Sequence, residues 1–457
     1  MFIGYISTSD QVIYGKNKSG HNIYKAFIYN DNSNCLVSYG GKLKGKILLI
    51  LNINGVYNNL PQGNIIDVIG LMNDENLYIT LQYIYNIFRK KLSYKYDINK
   101  YEFNLNRIFI DNTIFSIDPI NSLDIDDAIS YQHYDDYDIV NIYIAQPIYY
   151  LTEEILMNRT KIAFSTLYYN KINNLWGNEI TFLSSLLVNE KRPAYCISFK
   201  YINNDIIIES YPCFIINKIQ TNYDECLNYP IINDFYIFTK KITNINDTHE
   251  LISYWMILTN NYIGNNFKVP NRVIKSHKIL DFNNVENDIK DIFINYLSDK
   301  AKYSLDENYH CKLDKYNYTH FTSPIRRIID TIIHWCITYN INFINLINKY
   351  NITLDDINIL DKNTKKFHND IKLLDKINNL NNENDFYGWI YSNNKNIWTV
   401  YFKELGFQKV KIWHKKLDSI IDKTIYSNIK IGNKLKFKVY IKNGFLIRDK
   451  ILIVLYP

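Results

Sequence analysis

An unbroken alternation of polar and apolar residues marks the C-terminal part of the chain, Lys434-Leu-Lys-Phe-Lys-Val-Tyr-Ile-Lys442, with the period of two of a half-buried strand. Asn443-Gly444 offers a primed two-residue turn, and residues 445–455 read as the returning strand of a hairpin. Leu435, Phe437, Val439 and Ile441 make its core face. Lys434, Lys436, Lys438 and Lys442 make the other, which reads as an ordinary solvated face or as a nucleic-acid track. At the N-terminal end, short strands are expected over residues 11–14, 23–29, 35–39, 47–53 and 63–70, divided by turn clusters such as Asn30-Asp-Asn-Ser-Asn34. That spacing suggests a small barrel, followed by a helix over residues 75–91. Helical periodicity dominates the middle, over residues 249–267, 324–344 and 362–380, and the Asn-rich stretch 378–384 reads as a linker. The pattern predicts a mixed α+β fold.

Length and composition narrow the class. At 457 residues the chain has room for roughly three domains. A 47% hydrophobic share and 15% aromatics exclude wholesale disorder. No CxxC pair links the 6 cysteines, which read as buried thiols of an intracellular protein. No basic and apolar leader opens the sequence and no apolar run reaches the roughly 18 residues of a membrane helix, so neither secretion nor membrane insertion is expected. Net charge is +6, which permits nucleic-acid binding without arguing for it. Asn, Ile, Lys and Tyr are the residues of A/T-rich codons, as in large DNA viruses or intracellular parasites. The abundance of lysine therefore carries little meaning, whereas each of the 8 arginines carries more.

Two segments hold candidate chemistry. In Ser116-Ile-Asp118-Pro-Ile-Asn-Ser-Leu-Asp124-Ile-Asp126-Asp127, four carboxylates fall within ten residues of apolar surroundings. Like charges held so close call for a cation, and hard oxygens suit Mg²⁺, with Mn²⁺ as an alternative. An exposed acidic loop and a DxD sugar-nucleotide site are the competing readings; a calcium loop lacks its Gly and distant Glu. In an extended segment Asp124 and Asp126 share a side and Asp127 opposes them, so convergence needs a bend.

The second segment is Tyr318-Thr-His320-Phe-Thr-Ser323-Pro324-Ile-Arg326-Arg327-Ile-Ile-Asp330-Thr-Ile-Ile-His334. It reads as a helix start, with Ser323 as cap and Pro324 at the first position. Two arginines in a first turn oppose the helix dipole and ask for an anion, which a phosphodiester supplies. A salt bridge from Arg326 to Asp330 is the structural alternative, with His320 and His334 as structural histidines.

Together the two segments resemble the signature blocks of the RNB family of hydrolytic 3′-to-5′ exoribonucleases: Ile-Asp-Pro followed by Asp-Ile-Asp-Asp-Ala, then Tyr-Thr-His-Phe-Thr-Ser-Pro-Ile-Arg-Arg. Weaker similarities lie between them at Asn158-Arg159, Leu183-Ser-Ser-Leu186, Arg192-Pro-Ala194, Tyr223, Asn260, Arg272, His277 and Tyr303-Ser304. The resemblance covers roughly residues 111–335. It implies an RNB catalytic domain over residues 101–384, flanked by oligonucleotide-binding (OB-type) barrels over 1–100 and 385–457. It further implies Mg²⁺ on Asp118, Asp124, Asp126 and Asp127, with Asp124, Asp126 and Arg326 in catalysis. By the same resemblance Tyr223 and Asp375 would fall near the 3′-terminal nucleotide; Arg327, from its place at the helix start, and Lys436 and Lys438, from the basic stripe, are candidate RNA contacts. The expected substrate is single-stranded RNA, handled by a monomer and released as nucleoside 5′-monophosphates; a catalytically silent RNA-binding protein on the same scaffold is the alternative. The chain departs from the family pattern at Gln146-Pro147 and at Leu175-Trp-Gly177, and it has room for one leading barrel rather than two.

Overall fold

Ile6, Ala26, Ile28, Cys35, Val37, Ile47, Leu49 and Leu51, the inward half of the N-terminal alternation, bury one another in a single cluster. Their strands close into a barrel: β1 (Phe2–Ser7), β2 (Asn22–Ile28), β3 (Asn34–Tyr39), β4 (Lys46–Tyr57) and β5 (Leu60–Leu71), in the order β1-β2-β3-β5-β4. β1 crosses β2 so closely that a Cβ on Gly4 would stand 2.4 Å from the Phe27 carbonyl oxygen. The structure, a computed structural model, describes residues 1–9, 12–57, 60–87, 107–169, 172–203, 205–274, 285–298, 301–394, 397–411 and 429–455. Residues 12–14 are not the strand expected there, because Val12, Ile13 and Tyr14 are all exposed and neither side of the segment finds a core. The expected helix over 75–91 is shorter, a 3₁₀ turn followed by α1 (Leu77–Ile84), which ends at Tyr85; residues 88–91 of that expectation lie outside the described residues, as does His277.

The chain divides into two compact units that are discontinuous in sequence. One gathers Met1–Phe88, His277–Asp299 and Asn363–Pro457; the other gathers Arg89–Ser276 and Lys300–Lys362. The second is built on a seven-stranded sheet of β6 (Ile108–Ile110), β7 (Phe115–Ile117), β8 (Asp127–His133), β9 (Tyr137–Ala145), β10 (Lys191–Ile202), β11 (Asp205–Ile216) and β12 (Ile219–Thr221). Its order is β12-β7-β8-β9-β10-β11-β6, so β6 and β12 are its edges. Helices α2 (Glu153–Thr160) and α3 (Gly177–Ser184) fill the connection from β9 to β10.

After the sheet come α4 (Pro230–Ile242) and α5 (Thr248–Asn266), the latter started by reciprocal capping. Asp247 accepts from the Glu250 N–H at 2.8 Å, and the Glu250 carboxylate accepts from the Asn246 N–H at 2.7 Å. Short strands β13 (Asn271–Val273), β14 (Lys302–Ser304), β15 (Tyr309–His310) and β16 (Lys315–Tyr316) pair as two ribbons, with α6 (Asn287–Ser298) between β13 and β14 in sequence. Then α7 (Ile328–Tyr339), α8 (Phe343–Lys349) and the long α9 (Leu354–Asn378) follow. Among the described residues no helix is long and apolar enough to cross a membrane.

The C-terminal sheet contains β17 (Glu383–Asn394), β18 (Ile397–Phe402), β19 (Gly406–Lys411), β20 (Lys434–Ile441) and β21 (Ile451–Leu455), in the order β19-β18-β17-β20-β21. The fold is therefore α+β with OB-type barrels. Phe437 and Val439 are buried as the alternation requires, and β20 pairs β21 with Ile441 opposite Ile451. The predicted two-residue turn is absent. Asn443 and Gly444 do not adopt the positive φ that a primed turn needs, and residues 442–450 form a longer loop containing a helical turn, Ile447–Lys450. Gly444 serves that loop by close approach, since a Cβ there would meet the Asp449 backbone at 2.4 Å.

Candidate active site

The acidic segment is fixed by its backbone before any side chain acts. Where β7 ends, the Asp118 N–H donates to the Thr221 carbonyl at 3.0 Å, and a turn closed by the Ser122 N–H to the Pro119 carbonyl reverses the chain. Asn121 takes the left-handed conformation, φ 66°, at the bend. Ser185 then locks the return: its hydroxyl accepts from the Ile125 N–H and donates to the Leu123 carbonyl, both at 2.8 Å, while the Leu186 N–H donates to the Ile125 carbonyl. With Ile125 buried as the anchor, Asp124 and Asp126 flank it and Asp127 begins β8.

Arg326 meets this segment from 200 residues away. Its Nε donates to Asp126 Oδ2 at 3.0 Å, its Nη2 to the Ser323 hydroxyl at 3.1 Å, and the Ile325 N–H donates to Asp126 Oδ1 at 2.9 Å. Both Asp126 oxygens are thus held by one turn of chain. The helix expected from Pro324 begins only at Ile328, because the chain turns over residues 324–326 and Arg327 is extended, bridging Ser165. The Thr166 N–H donates to the Arg326 carbonyl and the Ile328 N–H to the Phe164 carbonyl, at 3.0 and 2.8 Å. Arg327 is the N-cap residue, and Asp330 in the first turn accepts from both the Ser323 N–H and the Arg327 guanidinium. The ion pair to Asp330 is therefore made by Arg327 rather than Arg326. Arg327 is largely buried in this role, whereas the Arg326 side chain is 49% exposed.

Burial raises Asp118, Asp126 and Asp127 to about 7, in Asp126 against the pull of Arg326 and the Ile325 N–H. After burial, the Ser116 hydroxyl gives Asp118 partial relief against the charges of Asp126 and Asp124, and Asp118 in turn repels Asp127. Asp118 Oδ2 is buried without a hydrogen-bond partner. Among the described residues no three acidic, His or Cys side chains converge as a ready metal site. Two buried, electrostatically interacting carboxylates, one with an orphaned oxygen, nevertheless suit a divalent cation that completes its shell with water and phosphate. Asp118 and Asp127 fit such an ion. Asp126 is committed to Arg326, and Asp124 accepts from the Tyr168 hydroxyl at 3.2 Å.

Tyr223 belongs to this group. Its ring stacks on His249 at 3.9 Å between centroids, and burial together with Asp127 and Asp118 pushes its hydroxyl up to about 12. Tyr168 was hidden among 41 tyrosines, and only its contact with Asp124 reveals it. Asp375 is exposed near the end of α9, in the other compact unit from these carboxylates. Lys436 and Lys438 are bound by Asp385 and Glu383 of the neighbouring β17, at 2.8 and 2.6 Å. His334 is structural: buried and stacked on Phe321, it donates from Nε2 to the Phe321 carbonyl, and burial lowers it to about 3.

Residues 265–342 match the model of the RNB domain. The matched segment, which carries Arg326 and Arg327, is similar to an RNB domain. Among solved structures, this chain is similar to Mycoplasma genitalium RNase R in complex with ribose-methylated single-stranded RNA, with a TM-score of 0.76 at 17% identity, over 100% of this chain and 89% of that one. It is also similar to the Dss1 exoribonuclease of Candida glabrata, 0.62 at 15% identity over 77% of this chain and 56% of that one. Yeast Ssd1, a pseudonuclease, matches at 0.61 and 11% identity over 90% of this chain and 65% of that one. No curated protein matches in sequence.

The departures from the RNB pattern acquire a structural account. The Trp176 indole donates to the Pro324 carbonyl at 3.1 Å, bracing the loop that carries Arg326. Gln146, where the pattern carries an acid, donates to Thr338 Oγ1 at 3.1 Å and lies 3.5 Å from His334 Nδ1, leaving its own buried Oε1 without a partner.

Proposed function

We propose that this chain is an RNB-type hydrolytic 3′-to-5′ exoribonuclease that degrades single-stranded RNA to nucleoside 5′-monophosphates. The joining of Asp126 to Arg326, beside the Asp118 and Asp127 carboxylates, carries this reading. Arg326 is half exposed, so the guanidinium edge not used on Asp126 and Ser323 is open to phosphoryl oxygens, and Asp126 fixes its direction. Asp118 and Asp127 would hold the cation, Mg²⁺ by their hard oxygens, with Mn²⁺ able to substitute. When bound, that ion supplies Lewis acidity and neutralises charge on the phosphodiester. Tyr223, whose hydroxyl feels the charge of the same two carboxylates, would hold the terminal nucleotide beside them.

A silent RNA-binding protein is the second reading, favoured by the absence of a three-donor cluster among the described residues and by the likeness to a pseudonuclease. The test is a 5′-labelled single-stranded oligoribonucleotide incubated with the protein and Mg²⁺, beside DNA of equal length and an Asp126→Asn variant. Stepwise shortening of RNA alone, lost in the variant while binding persists, supports the nuclease. Binding without shortening by the parent supports the silent protein.

A further inference from the structure

The far edge of the seven-stranded sheet carries rings and cations in alternation. Cys213 and Ile215 of β11 enter the core, and Phe214 between them points to the opposite face, in register with Phe109 of the edge strand β6. Lys191, at the start of β10, holds its ammonium 4.7 Å from the Phe214 centroid and 5.7 Å from that of Phe109. Arg107, just before β6, holds its guanidinium 5.7 Å from Phe214 and 5.3 Å from Tyr149, and Tyr149 meets Phe214 edge-on at 5.6 Å. The sequence across the surface is Phe109, Lys191, Phe214, Arg107, Tyr149. Phe109 is 47% exposed, Lys191 is exposed, and the other three are half-buried.

Among the described residues exposed Lys191 faces no carboxylate; Arg107 lies behind the rings, its Nη1 donating to the carbonyls of Ala194 and Cys213 at 3.3 Å each and its Nε and Nη2 buried. The contrast within the chain is sharp, because Lys436 and Lys438 on an equally ordinary strand each face a carboxylate. The exposed Lys191 ammonium beside the exposed Phe109 ring and the edge of Phe214 matches the two repeating parts of single-stranded nucleic acid, a stacking base and a phosphate. An acidic peptide would satisfy the cations and leave the rings without a use.

We propose that this edge is a second contact for single-stranded RNA, distinct from the carboxylate site and engaging a segment upstream of the 3′ end. The inference rests on the reading that the chain acts on single-stranded RNA. β6 is four strand spacings from β8, which carries Asp127, or about 19 Å at the usual interstrand distance. A strand held at both places must therefore extend well past its terminal nucleotide.

The test is fluorescence anisotropy of the full chain in EDTA with a labelled single-stranded RNA of about 30 nucleotides, an abasic chain of equal length, and polyglutamate as competitor. Phe109→Ala and Lys191→Ala remove exposed groups, and circular dichroism verifies their folding. Together they should weaken RNA binding about 5- to 10-fold and lower the salt slope by about one. Phe109→Ala should leave the abasic chain unaffected. Unchanged RNA affinity in both variants overturns the second contact while the proposed function stands, and a parent that binds no RNA overturns both. Displacement by polyglutamate as effective as by RNA would make the edge an acidic-protein surface and overturn the proposal.

Discussion

Arg326 Nε donates to Asp126 Oδ2 at 3.0 Å, joining two sequence segments that lie 200 residues apart. Asp126 is almost wholly buried and the arginine side chain is 49% exposed, so the pair has a dry end and a wet end. The carboxylate is set by the fold, and the guanidinium is aimed outward from it.

Replacing Arg326 by Lys should therefore be far from conservative. An ammonium cannot span Asp126 and Ser323 while presenting a further planar edge, and loss of an aimed donor of this kind lowers turnover by about 10²–10³-fold. Arg326→Ala should also destabilise the protein, by about 1–3 kcal/mol, less than for a fully buried pair because water reaches the arginine side. Single-turnover hydrolysis and urea unfolding measure the two effects separately. Equal turnover in the lysine variant would refute the assigned role.

The carboxylates predict a pH response. Burial raises Asp118, Asp126 and Asp127 to about 7, above the ordinary value of 3.8, so between about pH 4 and pH 7 the folded state holds more protons than the unfolded one. Stability of the metal-free protein should fall as pH rises through that window. Mg²⁺ should raise Tm more at about pH 7.5 than at about pH 5, where the sites are protonated. Asp118→Asn should flatten both dependences in thermal scans, and an unchanged profile would remove Asp118 from the cation site.

Much of this site could be read from sequence and some could not. The acidic segment and Ser-Pro-Ile-Arg-Arg are local strings, legible without a structure. Their partition of labour is not local. That Arg326 takes Asp126 while Arg327 takes Asp330 follows from the backbone bonds of residues 326 and 328 to 164–166, which delay the helix to Ile328. The same limit applies to the barrels. Alternation located their strands because a period of two reports a core face, whereas the loop between β20 and β21 depends on Gly444 packing against Asp449, which Asn-Gly alone does not encode. Lys436 and Lys438 looked like a basic stripe only because Asp385 and Glu383 sit some fifty residues earlier.

That pairing gives its own prediction. A phosphate reaching Lys436 or Lys438 would have to displace a carboxylate, so exchanging both lysines for Ala should change RNA affinity less than about two-fold. Anisotropy titrations at two salt concentrations would show it, and a loss of one unit or more in salt slope would restore the stripe as an RNA track.

Trp176 offers the most discriminating variant, because it acts on Arg326 without touching any carboxylate. Its indole is fully buried and donates to the Pro324 carbonyl at 3.1 Å, two residues ahead of the arginine. Trp176→Phe keeps most of the ring packing and removes the donor, leaving a buried carbonyl unsatisfied at a cost of about 1–2 kcal/mol. Because Asp126 also holds the Ile325 N–H, the loop should stay folded while its arginine loses definition. The expected result is a lower kcat at nearly unchanged KM, with RNA binding in EDTA equal to that of the parent. If KM rises instead and kcat holds, Trp176 contributes to RNA capture and the bracing role assigned to it is wrong.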